Sequence, residues 1–275
     1  MKFLPIYTLI LLLVFSACND EANKSGDKNN NTMIIHSEPV SYKIDSVQMQ
    51  GYLAYDSSIT GKRPAILVVP EWWGLNEYAK RRARELAELG YIAMAVDMYG
   101  AGKTADNPTL AQEYATPFYK NAEMAKSRMM AAMEVLAKNP LADTSQMGAI
   151  GYCFGGSMVL NLAKMGADLR GVVSFHGDLN GVPANKELLK SKILVLHGAD
   201  DKFVPEATVA SFKKQMDSIK ADYRFVAYEG ATHAFTNPDA TAMGKKFSIP
   251  VAYNAAADTA SWKEMKVFFT SIFEK

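Results

Sequence analysis

A chain of 275 residues, 49% of them hydrophobic, is long enough for one large or two small domains and apolar enough to bury a core. Its formal net charge of +1, without a basic cluster, argues against a nucleic-acid-binding surface. Two cysteines, Cys18 and Cys153, exclude a disulfide scaffold.

In chain order, Lys2 precedes the apolar run Leu4 to Phe15, which contains Pro5 and is short for a membrane span. The run ends at Phe15-Ser16-Ala17-Cys18, which resembles the lipobox of bacterial lipoproteins, with Phe15 where an aliphatic residue is usual. That resemblance implies a signal peptide over residues 1–17 and a lipidated Cys18 as mature N-terminus. The anchor would hold the protein in the cell envelope, outside the cytoplasm. Asn19 to about Thr32 is mostly Asn, Asp, Glu, Lys, Ser and Gly, so residues 18–39, His36 included, read as a flexible tether. With Cys18 acylated, Cys153 has no disulfide partner, and catalysis is one reason for an exported protein to keep a free thiol.

The folded domain is expected over residues 40–275. Val40 to Tyr55 alternates as an antiparallel strand pair, and Ala65 to Val69 is a short apolar run suited to a strand buried on both faces. Glu77 to Leu89 has a helical apolar face (Ala79, Ala83, Leu86, Ala87) closed by Gly90, and Tyr91 to Val96 is a second buried strand. Asn107-Pro108 and Thr116-Pro117 each read as a cap before proline at the start of a helix. Further strands are predicted at Met147 to Ile150, Gly171 to Phe175, Ile193 to Leu196 and Tyr223 to Tyr228. Helices are predicted from Met158 to Gly166, Pro205 to Lys220 and Ala255 to Phe273. Strands alternating with helices imply one α/β domain around a mainly parallel, twisted sheet.

Between a strand and a helix stands Gly151-Tyr152-Cys153-Phe154-Gly155-Gly156. Strand, sharp turn and helix form the setting of a nucleophile elbow, where glycines let the elements approach and one side chain is held above the sheet. Here that residue is Cys153, at a helix N-terminus that favours a thiolate.

Loops at the carboxyl ends of parallel strands gather on one edge, where ligands bind. Two such loops carry His197-Gly198-Ala199-Asp200-Asp201-Lys202 and Glu229-Gly230-Ala231-Thr232-His233. Nucleophile Cys153, acid Asp201 and base His233 then follow the order characteristic of α/β-hydrolases. A thiol is mostly protonated at neutral pH, so an imidazole must take its proton, and a carboxylate must fix that imidazole's tautomer. Asp200 competes for the acid role, but Asp201 keeps the spacing to Gly198 and Val204-Pro205, and Asp200 reads as a brace of the turn. His197 is expected to satisfy turn backbone groups, and His176 either lines the site or is structural.

Glu71-Trp72-Trp73-Gly74-Leu75-Asn76, the Cys153 elbow, the Asp201 loop, His233-Ala234-Phe235 and Tyr253-Asn254-Ala255 before Trp262 together resemble the dienelactone hydrolase family, cysteine-dependent members of the α/β-hydrolase fold. The resemblance spans most of residues 40–275. It implies that Glu71 lies beside the nucleophile, pairs with the thiol at rest and swings away as substrate binds. The backbone N–H groups of Trp72 and Phe154 would form the oxyanion hole. Trp72 and Trp73 would wall an apolar pocket or pack in the core. Family members hold a substrate carboxylate with two arginines, one after an Asp-Leu-Tyr-like motif and one shortly past the histidine. Here Asp97-Met98-Tyr99 runs into Gly100-Ala101-Gly102-Lys103, and Asn237 follows His233, so neither arginine is present. Lys103 would supply charge without arginine's bidentate fork.

The expected activity is hydrolysis of small esters or lactones through a Cys153 thioester, with no metal or cofactor implied. The alternatives are a broader carboxylesterase acting on acylated sugars or other envelope esters, and a non-catalytic binding lipoprotein on the same fold.

Overall fold

The computed structural model describes Met1, Phe3 and residues 32–273. The lipobox-like segment, Cys18 and most of the expected tether lie outside the described residues. Among the described residues, no helix is long and apolar enough to cross a membrane.

An edge hairpin, β1 (Ile35–Ile44) and β2 (Val47–Asp56), leads into β3 (Arg63–Val69), α1 (Glu77–Glu88) and β4 (Ile92–Ala95). Then come α2 (Pro108–Lys120), α3 (Ala122–Ala137), β5 (Ala142–Tyr152), α4 (Phe154–Lys164) and β6 (Gly171–Phe175). The chain continues through β7 (Lys192–Gly198), α5 (Glu206–Ser218), β8 (Tyr223–Tyr228), α6 (Ala240–Phe247) and α7 (Ala255–Ile272). The eight strands form one sheet in the order β1-β2-β4-β3-β5-β6-β7-β8. β1, β2 and β4 pair antiparallel, and the pairs from β4 through β8 are parallel. This is the α/β-hydrolase-like architecture expected from the sequence.

Successive strand residues point to opposite faces, so a continuous apolar run feeds two cores at once. In β3, Leu67 and Val69 join one buried cluster while Ile66 and Val68 join the other. β7 repeats this, with Ile193 and Val195 on one side and Leu194 and Leu196 on the other. Residues of α3, α4 and α5 cover the first face, and those of α1 and α7 cover the second.

Three local expectations change. Strand β1 begins at Ile35, five residues before the expected start of the domain, and His36, assigned to the tether, pairs with Tyr55 of β2. An edge strand pairs through its backbone and needs no fully apolar face, and Pro39 is tolerated there. Thr116-Pro117 opens no helix: Pro117 lies inside α2, and the Thr116 hydroxyl bonds back to the Gln112 carbonyl. The break comes at Asn121, which leaves helical geometry and accepts the Met124 N–H to cap α3. Finally, α6 is a short helix that the sequence did not signal. Gly244 interrupts its pattern, yet a side chain there would strike the Val251 carbonyl.

Candidate active site

The elbow is as tight as its glycines suggest. A Cβ on Gly151 would lie 2.0 Å from the Gly155 carbonyl oxygen, and one on Gly155 2.2 Å from the Val69 carbonyl oxygen. This approach lets α4 start directly above β3 and β5. It leaves Cys153 with φ +53° and ψ −117°, a conformation costly for a residue with a side chain and usual where a nucleophile is held up for attack.

The Cys153 N–H is held from below, directed at both the Phe175 carbonyl (3.0 Å) and His176 Nδ1 (3.1 Å). His176 is fully buried and itself has φ +42°. Because its Nδ1 accepts, its Nε2 carries the proton and donates to Thr236 Oγ1 at 2.7 Å. Thr236 Oγ1 meets the Tyr78 hydroxyl at 2.6 Å, and Arg82 donates to the Thr236 carbonyl and to Asp258. Burial, with His233 and Arg82 adding repulsion, holds His176 well below the ordinary histidine range, so it is neutral. His176 therefore does not line the cavity; it belongs to a buried polar chain beneath the nucleophile that runs from α1 and α7 to the elbow.

The loops after β7 and β8 bring Asp201 and His233 to Cys153. Asp201 Oδ2 lies 2.8 Å from His233 Nδ1, while its Oδ1 accepts the Phe203 N–H at 2.9 Å. The Asp201 side chain is completely buried, whereas neighbouring Asp200 is exposed. His233 lines the same cavity as Cys153 and feels its charge. Burial opposes a charge on its imidazole. The Cys153 charge, hydrogen bonds to Asp201 and Cys153, and the Asp201 carboxylate outweigh burial and hold His233 well above the usual range. Thiol, imidazole and carboxylate therefore follow one another in the chain order of a thiol-activating set, with the imidazole bonded to the carboxylate.

Glu71 follows β3 on the same sheet edge and lines the same cavity as Cys153. Its carboxylate accepts from Asn237 Nδ2 at 2.7 Å, so its partner here is that amide, while the thiol's neighbour is His233. Burial pushes Glu71 up to about 7, against the opposing effects of the Asn237 hydrogen bond and of the charges on His233 and Arg82. The Glu71 carbonyl accepts the Gly74 N–H at 3.0 Å, closing a turn in which Gly74 takes φ +84°. The Tyr99 hydroxyl donates to the Trp72 carbonyl at 2.8 Å, so this turn is pinned from two sides. Among the described residues, neither the Trp72 nor the Phe154 N–H is engaged by a protein acceptor. That leaves both free to receive a developing oxyanion.

The cavity above Cys153 has a volume of about 260 Å³. Trp72, Trp73, Phe203, Val204, Ile249 and Val251 supply apolar wall, and Met243 of α6 closes one side. Both tryptophans thus face the cavity, and Trp73 also stacks on Phe247 of α6 at 6.1 Å. Lys103 is not in the lining: it is exposed and sits over the Tyr114 ring. Nor does His197 satisfy the turn as expected; it is buried against Phe225, and its Nδ1 has no partner among the described residues. Sequence reasoning missed Tyr99, Thr236 and the bond from Asn237 to Glu71. The signal for Asn237 was its place, where a family arginine was expected.

The pattern of the Dienelactone hydrolase family matches residues 49–273. An uncharacterized protein of Caenorhabditis elegans is 36% identical over 153 residues, 54% of this chain and 94% of its own length. A protein of Aquifex aeolicus, named provisionally as a carboxymethylenebutenolidase, is 29% identical over 72% of this chain and 86% of its own. Among solved structures, the dienelactone hydrolase-like promiscuous phosphotriesterase P91 from metagenomic libraries superposes with a TM-score of 0.82 at 33% identity, covering 87% of this chain and 99% of its own.

Proposed function

This chain belongs to the dienelactone hydrolase family and is a hydrolase of ester or lactone bonds, and from that premise we propose that it works through a Cys153 thioester, with His233 as base and Asp201 as its orienting acid. The single observation that carries this reading is the 2.8 Å contact between Asp201 and His233 at the mouth of the elbow holding Cys153. In the first half-reaction the Cys153 sulfur attacks the substrate carbonyl as His233 takes the thiol proton. The oxyanion is received by the N–H groups of Trp72 and Phe154. Collapse expels the alkoxide, which takes the proton from His233, and leaves the acyl group on sulfur. Water, deprotonated by His233, then attacks the thioester; the acid departs and the thiol is restored. In a lactone, alkoxide and acid remain in one opened product.

Neutral phosphotriesters are a second class of substrate. P91, itself a promiscuous phosphotriesterase, points to them, and no lysine or arginine among the described residues lines the cavity to demand an anionic group.

From the sequence alone, we further propose that the protein is exported and held at the cell envelope by a lipid on Cys18.

The test is Cys153→Ala assayed with 4-nitrophenyl acetate. Turnover should fall by at least about a thousandfold, since nucleophile removal in such sites costs that or more. Iodoacetamide should inactivate the wild type. Full activity in Cys153→Ala would overturn the thioester mechanism.

A further inference from the structure

The charged and polar groups of the cavity are unevenly signed. Glu71 lies on the β3 side and Asp178, after β6, on the other, with Gln112 and Tyr119 of α2 at the rim. Asp178 is half-buried; its Oδ1 accepts both the Asn180 N–H (3.1 Å) and the Asn180 side-chain amide (2.9 Å), which fixes the carboxylate in place. Among the described residues, no lysine or arginine lines the cavity.

The catalytic groups do not offset this. Proton transfer from Cys153 to His233 only rearranges charge between them, so the pair is neutral overall in either state, and Asp201 behind it adds a further negative charge. The nearest cations named by their effects are elsewhere. Lys164 feels Asp178, but it is buried at the end of α4 with its ammonium 5.3 Å from the Phe212 ring, and burial lowers it to about 8. Arg82 feels Glu71, but it is already paired with Glu85 and Asp258.

Resting on the ester-cleaving reading, we propose that this cavity selects substrates by charge. It accepts esters whose flanking group is uncharged or cationic, with an ammonium seated toward Asp178, and turns away esters that carry a second, anionic group. The apolar wall formed by Trp72, Trp73, Phe203, Ile249 and Val251 suits an aromatic or branched aliphatic body. On the Glu71 side the determinant is the neutral amide of Asn237, which leaves that carboxylate's charge uncancelled once it ionises above about pH 7.

The test reads the cavity's charge preference at Cys153 without needing turnover. At pH 8, where Glu71 is ionised, the full chain is treated at low ionic strength with three methanethiosulfonates: sulfonatoethyl (anionic), methyl (neutral) and trimethylammonioethyl (cationic). The rate at Cys153 is followed by peptide mass and divided by the rate for 2-mercaptoethanol. The cationic-to-anionic ratio should exceed tenfold in the wild type and fall at least threefold in Asp178→Asn, which preserves acceptance from Asn180. A wild-type ratio near one, or a preference for the anionic reagent, would overturn the proposal. The parallel arm compares 4-nitrophenyl butyrate, its 4-trimethylammonio derivative and mono-4-nitrophenyl succinate. The succinate should be cleaved at least tenfold more slowly than butyrate, and equal rates would again overturn the proposal. If no ester were cleaved while the reagent ratio held, the charge preference would stand and the hydrolase reading would fall.

Discussion

Asn237 donates its side-chain amide to the Glu71 carboxylate at 2.7 Å, and both residues are buried. The bond joins the loop that carries His233 to the turn that carries Trp72, so the proposed base and the proposed oxyanion donor share one brace. It also leaves Glu71 with a neutral partner, which is why burial prevails over the favourable contacts and raises its pKa to about 7.

Stability should therefore depend on pH through Glu71. The folded state favours the protonated acid up to about 7, whereas the unfolded chain releases the proton near the ordinary value of 4.5. Between these values the folded state binds more protons, so this contribution is full below about 4.5 and is lost as pH rises through about 7. The shift corresponds to roughly 3 kcal/mol. Glu71→Gln should thus raise the melting temperature at pH 8 and change it little at pH 4. A variant no more stable than the wild type at pH 8 would show that burial does not hold the acid protonated.

Reactivity of the thiol should carry the same signature. Above pH 7 an ionised Glu71 places like charge near a developing thiolate, whereas below it the neutral acid does not. Iodoacetamide should alkylate Cys153 several-fold faster in Glu71→Gln than in the wild type at pH 8, with rates converging toward pH 6. If the two pH profiles superimpose, Glu71 has no electrostatic hold on the nucleophile.

Asp201→Asn should keep the fold and lose rate. An amide at 2.8 Å from Nδ1 no longer selects the tautomer with Nε2 free to take the thiol proton, nor does it stabilise the imidazolium. We expect kcat to fall by about a thousandfold or more, by analogy with carboxylate removal in serine triads. A loss below tenfold, or an equal loss in Asp200→Asn, would move the acid role elsewhere.

Tyr99→Phe removes only the hydroxyl that holds the Trp72 carbonyl. A loosened oxyanion donor affects the transition state more than ground-state binding, so kcat should drop by about tenfold with KM nearly constant. A change confined to KM would instead make Tyr99 a packing residue of the pocket.

Fatty-acid analogue labelling in a lipoprotein-competent bacterial host should mark the wild-type chain and spare Cys18→Ser. Equal labelling of the two proteins would remove Cys18 as the anchor.

What was legible in the sequence followed from short-range signals. Gly171–Phe175 and Tyr223–Tyr228 are apolar or alternating runs bounded by chain breakers, and both strands occupy those residues. The elbow was readable because sterics at Gly151 and Gly155 leave few alternatives to glycine. What was not legible depends on side chains that meet only after folding. Asn237 and Glu71 are 166 residues apart, and Tyr78 and Thr236 are 158 apart, so no spacing announces either bond. The first half of β1, Ile35 to Pro39, was hidden for another reason: an edge strand is stabilised by backbone pairing, and its polar residues resemble those of the segment before it.

The buried chain beneath Cys153 has a temporal consequence. His176, Thr236 and Asp258 on α7 all follow the nucleophile in sequence, as do Asp201 and His233. A polypeptide emerging from the ribosome therefore presents Cys153 before His176, Asp201 and His233 have been made. The support under the elbow is complete only once Asp258 of α7 joins Arg82, the last link of that buried chain to be synthesised. An isolated N-terminal fragment ending after α4 would hold Cys153 without His176, Asp201 or His233.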